Sequence, residues 1–362
     1  MSAAPTSRWA DRDFVLRTVR QDGHALGYAA KPLKADRDLV LEAVRHDGYA
    51  LYWAVESLQA DREVVLAAVR QGGRALAQAA APLKADREVV LAAVREDGNA
   101  LEHAAEPLQE DRDLVFEAVR QDGDALYWAA EPLWADRELV LVAVRTFGGA
   151  LQWVDETLKA DREVVLAAVR QAGNALEHAA EPLKADREVV LEAVLQNGYA
   201  LYHVAEPLCD NRDVVLEAVR QDGGALRYAA APLKVDREFM LAAVRQSYCA
   251  LFYATEPLKA DRDLVLEAVR SWGGALRFAA APLRADPEFM HEVVLAKEPL
   301  VHRMLTGTES SFSSFNHALT ELILREYTKG RAELALATFP HWPGDESDAC
   351  GKPQDRPLRK SC

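Results

Sequence analysis

The stretch DREVVLAAVRQAGNALEHAAEPLKA, from Asp161 to Ala185, decides the fold because the chain repeats it. A near-copy, DREVVLAAVRQGGRALAQAAAPLKA, runs from Asp61 to Ala85 and shares 20 of the 25 positions. An Asp-Arg-acid triplet or a close variant begins twelve such repeats, at residues 11, 36, 61, 86, 111, 136, 161, 186, 211, 236, 261 and 286. A fixed short period of this kind indicates a repeat architecture. We number the repeats one to twelve and call their first residue position zero.

Each repeat carries the signals of two helices. Asp at position zero is a preferred N-cap, and the acid at position two and Arg at position nine suit the two ends of the helix dipole. Gly at position twelve predicts a left-handed residue that ends the first helix. A second helix is expected from about position thirteen to position twenty, where Pro at position twenty-one stops it. In repeat ten Tyr248 replaces this glycine, which predicts either a strained left-handed residue or an altered turn.

A single helix pair of 25 residues cannot bury so much apolar surface, whereas a stack can, because each copy covers its neighbour. We therefore predict an all-α fold, an α-solenoid of about twelve 25-residue helix-turn-helix repeats with a helical C-terminal cap. The expected organisation is a lead-in over residues 1–10, the solenoid over 11–295 and the cap over 296–339. Residues 340–362 have the composition of a disordered tail.

The consensus of the repeat is D-R-[DE]-[VLF]-V-L-x-A-V-R-Q-x-G-x-A-L-x-x-A-x-E-P-L-K-A. It closely resembles the uncharacterised helical-repeat family catalogued as domain of unknown function 4116. The resemblance covers residues 11–285 and implies helical repeats. It implies no activity and carries no site residues over to this chain.

The formal net charge is −14, and the excess of acid lies in residues 1–295. An acidic body repels phosphate backbones and anionic lipid, so we expect no nucleic acid and no membrane as partner. A basic protein or peptide is the partner that this charge favours. With no apolar stretch typical of a signal peptide or a membrane span, the expected location is cytoplasmic, an intracellular and reducing compartment. The four cysteines have no CxxC spacing, which indicates neither a disulfide framework nor a zinc site.

Two features resemble chemistry but have structural explanations. The acid and arginine residues recur in every repeat, and helix capping and ion pairing explain them better than catalysis does. His103, His178 and His203 all occupy position seventeen, where most other repeats have Trp, Tyr or Phe. That choice of large flat side chains favours a packing ladder over a metal site. We therefore predict no catalytic residue, no metal and no cofactor.

Positions thirteen and sixteen vary most between repeats, so we expect them to be exposed on the second-helix surface. Aromatic-rich ridges are typical of protein interfaces. The alternative is surface variation without selection after recent duplication. The candidate partner-binding residues, including those at position seventeen, are Tyr49, Tyr52, Trp53, Tyr127, Trp128, Trp153, Tyr199, Tyr202, His203, Tyr228, Phe252 and Tyr253.

The functional hypothesis is a non-enzymatic repeat scaffold that binds a protein or peptide along this second-helix surface. Two alternatives stay open. The solenoid is the docking arm of an effector or enzyme whose activity depends on the C-terminal region, or it is a structural spacer.

Overall fold

The computed structural model describes residues 8–293 and Ala296, and within them every regular element is a helix. The chain divides into two compact units, Met1–Ala180 and Glu181–Cys362. Each unit is an α-solenoid of 25-residue repeats, as predicted. The predicted cap and tail lie outside the described residues, apart from Ala296. None of the helices in the described part has the length and apolarity needed to cross a membrane.

The first helix of each repeat begins directly after position zero. In repeat five, the Asp111 carboxylate accepts hydrogen bonds from the amides of Asp113 and Leu114, which confirms the predicted N-cap. Val115 and Val119 on the apolar side are fully buried. The first helices are Arg12–Val19, Arg37–His46, Arg62–Gln71, Arg87–Glu96, Arg112–Gln121, Arg137–Thr146, Arg162–Gln171, Arg187–Gln196, Arg212–Gln221, Arg237–Gln246 and Arg262–Ser271, and residues 287–293 are also helical.

The glycine at position twelve has a different role from the one predicted. In repeats two to eleven the first helix ends at position ten, and the residue after it is extended, as at Asp97 with φ −149° and ψ 111°. Gly98 then begins the second helix, and its φ is not in the left-handed region. A β-carbon there would overlap the carbonyl oxygen of Ala118 in the next repeat. The prediction of a left-handed helix end is therefore wrong: glycine is needed because two backbones come into contact.

The second helix is shorter than predicted and is a 3-10 helix over positions twelve to seventeen. Where position eleven is Asp or Asn, its side chain caps the second helix. The side-chain oxygen accepts a hydrogen bond from the amide of position thirteen, as Asp122 does from the amide of Asp124. The second helices are Gly23–Tyr28, Gly48–Trp53, Gly73–Gln78, Gly98–His103, Gly123–Trp128, Gly148–Trp153, Gly173–His178, Gly198–His203, Gly223–Tyr228 and Gly273–Phe278, with the α-helix Ala250–Tyr253 in repeat ten.

A third short helix, absent from the prediction, follows after two extended residues. Proline at position twenty-one does not stop the second helix, because it lies in the first turn of this third helix, where its missing N–H is not needed. The third helices are Leu33–Ala35, Glu56–Gln59, Ala81–Lys84, Glu106–Gln109, Glu131–Ala135, Glu156–Lys159, Glu181–Lys184, Leu208–Asp210, Ala231–Val235, Glu256–Lys259 and Ala281–Arg284, and a 3-10 turn, Arg8–Ala10, precedes the first repeat.

A backbone hydrogen bond joins neighbouring repeats. The amide at position nineteen, just before the third helix, donates to the carbonyl at position twenty-three of the preceding repeat. Ala105 donates to Lys84 at 2.9 Å in the first unit, and Ala230 donates to Cys209 at 3.0 Å in the second. Because both atoms belong to the backbone, this link does not depend on which side chains the two repeats carry.

A row of ion pairs provides a second link between repeats. The arginine at position one pairs with the N-cap aspartate of the next repeat: Arg87 Nε lies 2.7 Å from Asp111 and Arg237 Nε lies 2.7 Å from Asp261. These hydrogen bonds hold the pKa of Asp111 and Asp261 below the usual range. The ion-pair role that the sequence suggested for the acid–arginine pattern is therefore present.

Repeat ten adopts an altered turn, the second of the two predicted outcomes. With Tyr248 in place of glycine, the 3-10 helix is replaced by a turn and the α-helix Ala250–Tyr253. The Tyr248 ring lies 4.6 Å from that of Trp272 in the following repeat. Cys249 in this turn is buried, and Cys209 in repeat eight is a buried thiol.

Candidate functional site

The second helices carry most of the candidate aromatic residues on one surface of each unit. At position sixteen, Tyr52 is 57% exposed, Tyr127 48% and Phe252 40%. At position seventeen, Trp128 and Trp153 are half-buried, and Trp53 is 37% exposed. The 3-10 geometry places three residues in each turn, so positions thirteen and sixteen lie one above the other on the outer side of this helix.

Side chains at position sixteen, which were expected to be exposed, also pack against the next repeat. The side chain at position sixteen contacts the ring at position seventeen of the next repeat. The ring centroids of Tyr127 and Trp153 are 5.3 Å apart, and those of Tyr202 and Tyr228 are 5.0 Å apart. The two positions therefore form one continuous row of contacts, partly exposed and partly buried.

The largest aromatic cluster of the first unit surrounds Tyr127. The rings of Tyr127 and Trp128 form a T-shaped pair with centroids 4.6 Å apart, and the ring of Trp153 from the next repeat lies 5.3 Å from Tyr127. Phe147 stacks on Trp153 at 6.4 Å. Because the neighbouring rings hold Tyr127 in place while half of it stays exposed, little side-chain entropy remains to be lost on binding.

The other candidate residues form smaller groups. Tyr52 meets Trp53 at 4.7 Å, and Tyr49 is exposed on the same helix. In the second unit, Tyr199, Tyr202 and Tyr228 lie together, and Tyr202 also contacts His203. Phe252 meets Tyr253 at 4.9 Å.

Burial shifts the pKa of several of these side chains. It raises the pKa of Tyr199 to about 12, with help from the neighbouring carboxylate of Asp222. It also raises the pKa of Tyr253 and lowers that of His103. Burial therefore favours the neutral form of His103, in keeping with a packing role at position seventeen.

Position thirteen is also constrained in several repeats, which corrects the expectation that it is free. Its side chain pairs with the aspartate at position eleven of the next repeat. Arg74 Nε lies 2.8 Å from Asp97, and the Asn99 amide lies 2.6 Å from Asp122. Polar residues at position thirteen thus link repeats. The exposed Tyr49 has no such partner, because position eleven of the next repeat is Gly72 instead of aspartate.

Charge on the second-helix surface is unevenly distributed, which the overall net charge conceals. Repeats four to six present acids beside the aromatic cluster. Burial and the neighbouring Asp122 raise the pKa of one of them, Asp124. Repeats nine to eleven present mainly cations. The acids are Glu102, Glu106, Asp124, Glu131, Asp155 and Glu156, of which Glu156 pairs with Lys159; the cations are Arg227, Lys234, Lys259, Arg277 and Arg284.

The aromatic groups recur with a longer period that sequence reasoning missed. Tyr52, Tyr127 and Tyr202 are each three repeats apart, and the segment GNALEHAAEP occurs identically at residues 98–107 and 173–182. Comparison of every third repeat, rather than of neighbours, would have revealed this spacing.

Other arrangements offer little chemistry. Among the described residues, no three histidine, cysteine or acidic side chains are placed to hold a metal ion. An open groove on the first-helix face of the first unit brings no nucleophile and base together. Its lining residues are Arg145, Glu163, Leu166, Ala167, Arg170 and Gln171.

Comparison with known proteins agrees with this architecture. The family model described as "Domain of unknown function (DUF4116)" matches five tandem segments, residues 36–83, 86–134, 136–184, 186–234 and 236–290. Each segment spans two of the 25-residue repeats, and together they cover more than half of the chain. No curated protein matches the sequence. The chain therefore belongs to the family described as domain of unknown function DUF4116.

Proposed function

We propose that the protein is a non-enzymatic repeat scaffold that binds a basic peptide segment of a partner protein along its second-helix surface. The observation that carries the proposal is the half-exposed cluster of Tyr127, Trp128 and Trp153 beside acidic side chains. Aromatic residues held in place by neighbours are the kind of anchor that contributes most to binding energy.

Charge supports a basic partner at this cluster. Glu102 and Asp124 lie on the second helices of repeats four and five, and Asp155 follows Trp153. The partly buried Asp124 has a raised pKa because burial and the neighbouring Asp122 carboxylate disfavour its ionised form. An arginine or lysine brought by a ligand would favour the ionised form and gain a charge-assisted hydrogen bond. Arginine would also stack on the exposed ring of Tyr127.

The test is fluorescence anisotropy of a fluorescein-labelled peptide in which Arg and Leu alternate, with the full chain and, as a charge control, a Gln-for-Arg peptide. We expect the Arg peptide to bind more tightly. Tyr127→Ala should weaken it at least about fivefold, the loss of a real anchor. Leu195→Ala, which removes an exposed apolar side chain from a first helix, is the matched control and should have little effect.

Equal affinity for the Arg and Gln peptides would contradict the proposal, as would Tyr127→Ala binding with unchanged affinity. A structural spacer predicts no specific binding of either peptide.

A further inference from the structure

The second-helix surface of repeats nine to eleven differs from the rest in charge. Position sixteen holds Arg227 and Arg277, where repeats four and seven have Glu102 and Glu177. Position twenty holds Ala231 and Ala281 in repeats nine and eleven, although Glu is the usual residue there. Part of the surface that is acidic in the first unit is therefore cationic in the second.

The two arginines lie against aromatic rings. The Arg277 guanidinium is 4.6 Å from the ring of Phe278 and 5.5 Å from that of Trp272. Arg227 is 5.1 Å from the ring of Tyr228. A guanidinium stacked on a ring presents its N–H groups edge-on, which leaves them oriented toward a ligand carboxylate.

The hydrogen-bonding capacity of this surface is incompletely used within the described residues. The Nε atoms of Arg277 and Arg284 are buried there without a hydrogen-bond partner. Lys259, by contrast, pairs with Glu256 at 3.1 Å, and Lys234 donates to the carbonyl of Arg227. A buried Nε does not reach a ligand, but no acid of the described residues pairs with Arg277, so its charge is not offset as that of Lys259 is.

Aromatic contacts make this surface continuous. Phe252 contacts Phe278 at 5.3 Å, and Arg227 acts electrostatically on Tyr253 in the next repeat. We call Arg227, Tyr228, Phe252, Arg277 and Phe278 the cationic aromatic surface. The nearby acids are Glu256, which Lys259 neutralises, and Asp222, which accepts from the amide of Gly224.

We propose that the cationic aromatic surface binds an extended peptide with two carboxylate side chains, a ligand opposite in charge to the one proposed for repeats four to six. Arg227 and Arg277 are two repeats apart, roughly 16–20 Å at interhelical spacings of 8–10 Å. An extended chain rises about 3.3 Å per residue, so the carboxylates should be about five or six residues apart. Apolar side chains between them would contact Phe252 and Phe278.

A peptide fits this surface better than a nucleic acid does. The cationic residues are local, whereas the chain as a whole has a net charge of −14 and repels a polyanion. Two isolated carboxylates carry little charge beyond what the two arginines neutralise. This inference rests on the proposed use of the second-helix surface for peptide binding but concerns different residues.

The test is anisotropy with the full chain and a labelled twelve-residue peptide that has Glu at the third and eighth positions, Leu between them and Gly or Ser elsewhere. The reference peptide has Gln at both positions, and a single-stranded DNA twelve-mer is the polyanion probe. We expect the Glu peptide to bind about tenfold or more tightly than the Gln peptide. The double variant Arg227→Gln with Arg277→Gln should abolish that difference, while Arg95→Gln, an exposed arginine of a first helix, should preserve it.

Equal affinity for the Glu and Gln peptides on the unaltered chain would overturn the proposal without any variant, and so would tighter binding of the DNA. The Arg peptide is measured on the same double variant. Loss of only the Glu peptide supports two separate surfaces, whereas failure of only the Arg peptide on the unaltered chain would contradict the proposed function and leave this inference standing.

Discussion

Gly73 packs its α-carbon against the backbone of the next repeat, facing the carbonyl oxygen of Ala93. A β-carbon at Gly73 would lie 2.9 Å from the β-carbon of Asp97 and closer still to that oxygen. This oxygen also accepts a hydrogen bond from the amide of Asp97, the residue that follows the first helix of its repeat. The glycine thus sets how closely one second helix approaches the next first helix.

Gly73→Ala should therefore lower the free energy of unfolding by about 1–3 kcal/mol, the range for an overpacked contact. Gly72→Ala, one residue earlier, is the matched control: Gly72 is extended at φ −162° with nothing within 4 Å of a β-carbon. It should be neutral or stabilising by about 0.4–1 kcal/mol. Urea unfolding measures both.

Gly73→Asn separates the two explanations of this glycine. A left-handed helix end tolerates Asn, whereas a close backbone contact does not. We expect the Asn variant to be at least as unstable as the Ala variant. Wild-type stability of Gly73→Asn would restore the left-handed explanation.

The N-cap aspartates predict how stability responds to acid. Hydrogen bonds from arginine hold the pKa of Asp61, Asp86, Asp136 and Asp161 below the usual range. Since their pKa is lower in the folded state, their contribution is present above the unfolded value of about 3.9 and is lost as the pH falls through the folded value. The free energy of unfolding should therefore decrease steeply below about pH 4. A flat profile of the free energy of unfolding between pH 5 and pH 2 would exclude the row of ion pairs as a source of stability.

Asp111 allows capping and ion pairing to be separated. Asn211 caps its helix in repeat nine by accepting from the amides of Asp213 and Val214, so Asp111→Asn should keep the cap and lose only the pair with Arg87. Asp111→Ala loses both, and the missing cap should cost about 1 kcal/mol. The Asn variant should also lose less stability than wild type on acidification. Equal stability of the Ala and Asn variants would show that the cap contributes nothing.

The backbone bond between repeats is tested by Ala105→Pro. Ala105 has φ −67° and ψ 146°, and Ala104 before it is also extended, so proline fits and only the hydrogen bond to Lys84 is lost. We expect a loss of about 0.5–1.5 kcal/mol. Ser57→Pro is the control, because proline is the usual residue at that position of the third helix. If both variants have the same melting temperature, the hydrogen bond between repeats contributes no stability.

Tyr127 and Trp153 should differ in stability although their rings are in contact. Tyr127→Ala removes a half-exposed ring and should lower the free energy of unfolding by less than about 1 kcal/mol. Trp153→Ala removes a ring that fills the space between repeats and contacts Phe147 and Tyr127, so it should cost clearly more, although less than the 3–5 kcal/mol of a fully buried tryptophan. Equal losses on thermal melting would place Tyr127 in the core.

The period and the N-caps could be predicted from the sequence because both depend on local chemistry that recurs in every copy. Asp111 caps its own helix, and Val115 and Val119 lie four residues apart on one face. The role of Gly98 could not be predicted, since its reason is a contact with Ala118 in another repeat. A Gly after an amphipathic helix is compatible with both conformations.

The third helix was missed for a related reason. Proline is unfavourable inside a helix but favourable in its first turn, and the sequence around Pro107 fits either case.

The second-helix surface was predicted only in part. Position sixteen was expected to be exposed, but its contact with the ring ahead, as between Tyr127 and Trp153, exists only once the repeats are stacked.

The bond from position nineteen to position twenty-three uses no side chain, and neither does the contact between the glycine at position twelve and the carbonyl ahead of it. A repeat that retains these backbone features keeps both of these joints with its neighbour, whatever side chains it carries at positions thirteen, sixteen and seventeen. Repeats of this kind are interchangeable modules. Duplication, deletion or exchange in steps of 25 residues would change the order of aromatic, acidic and cationic groups on the surface and leave the joints between repeats intact.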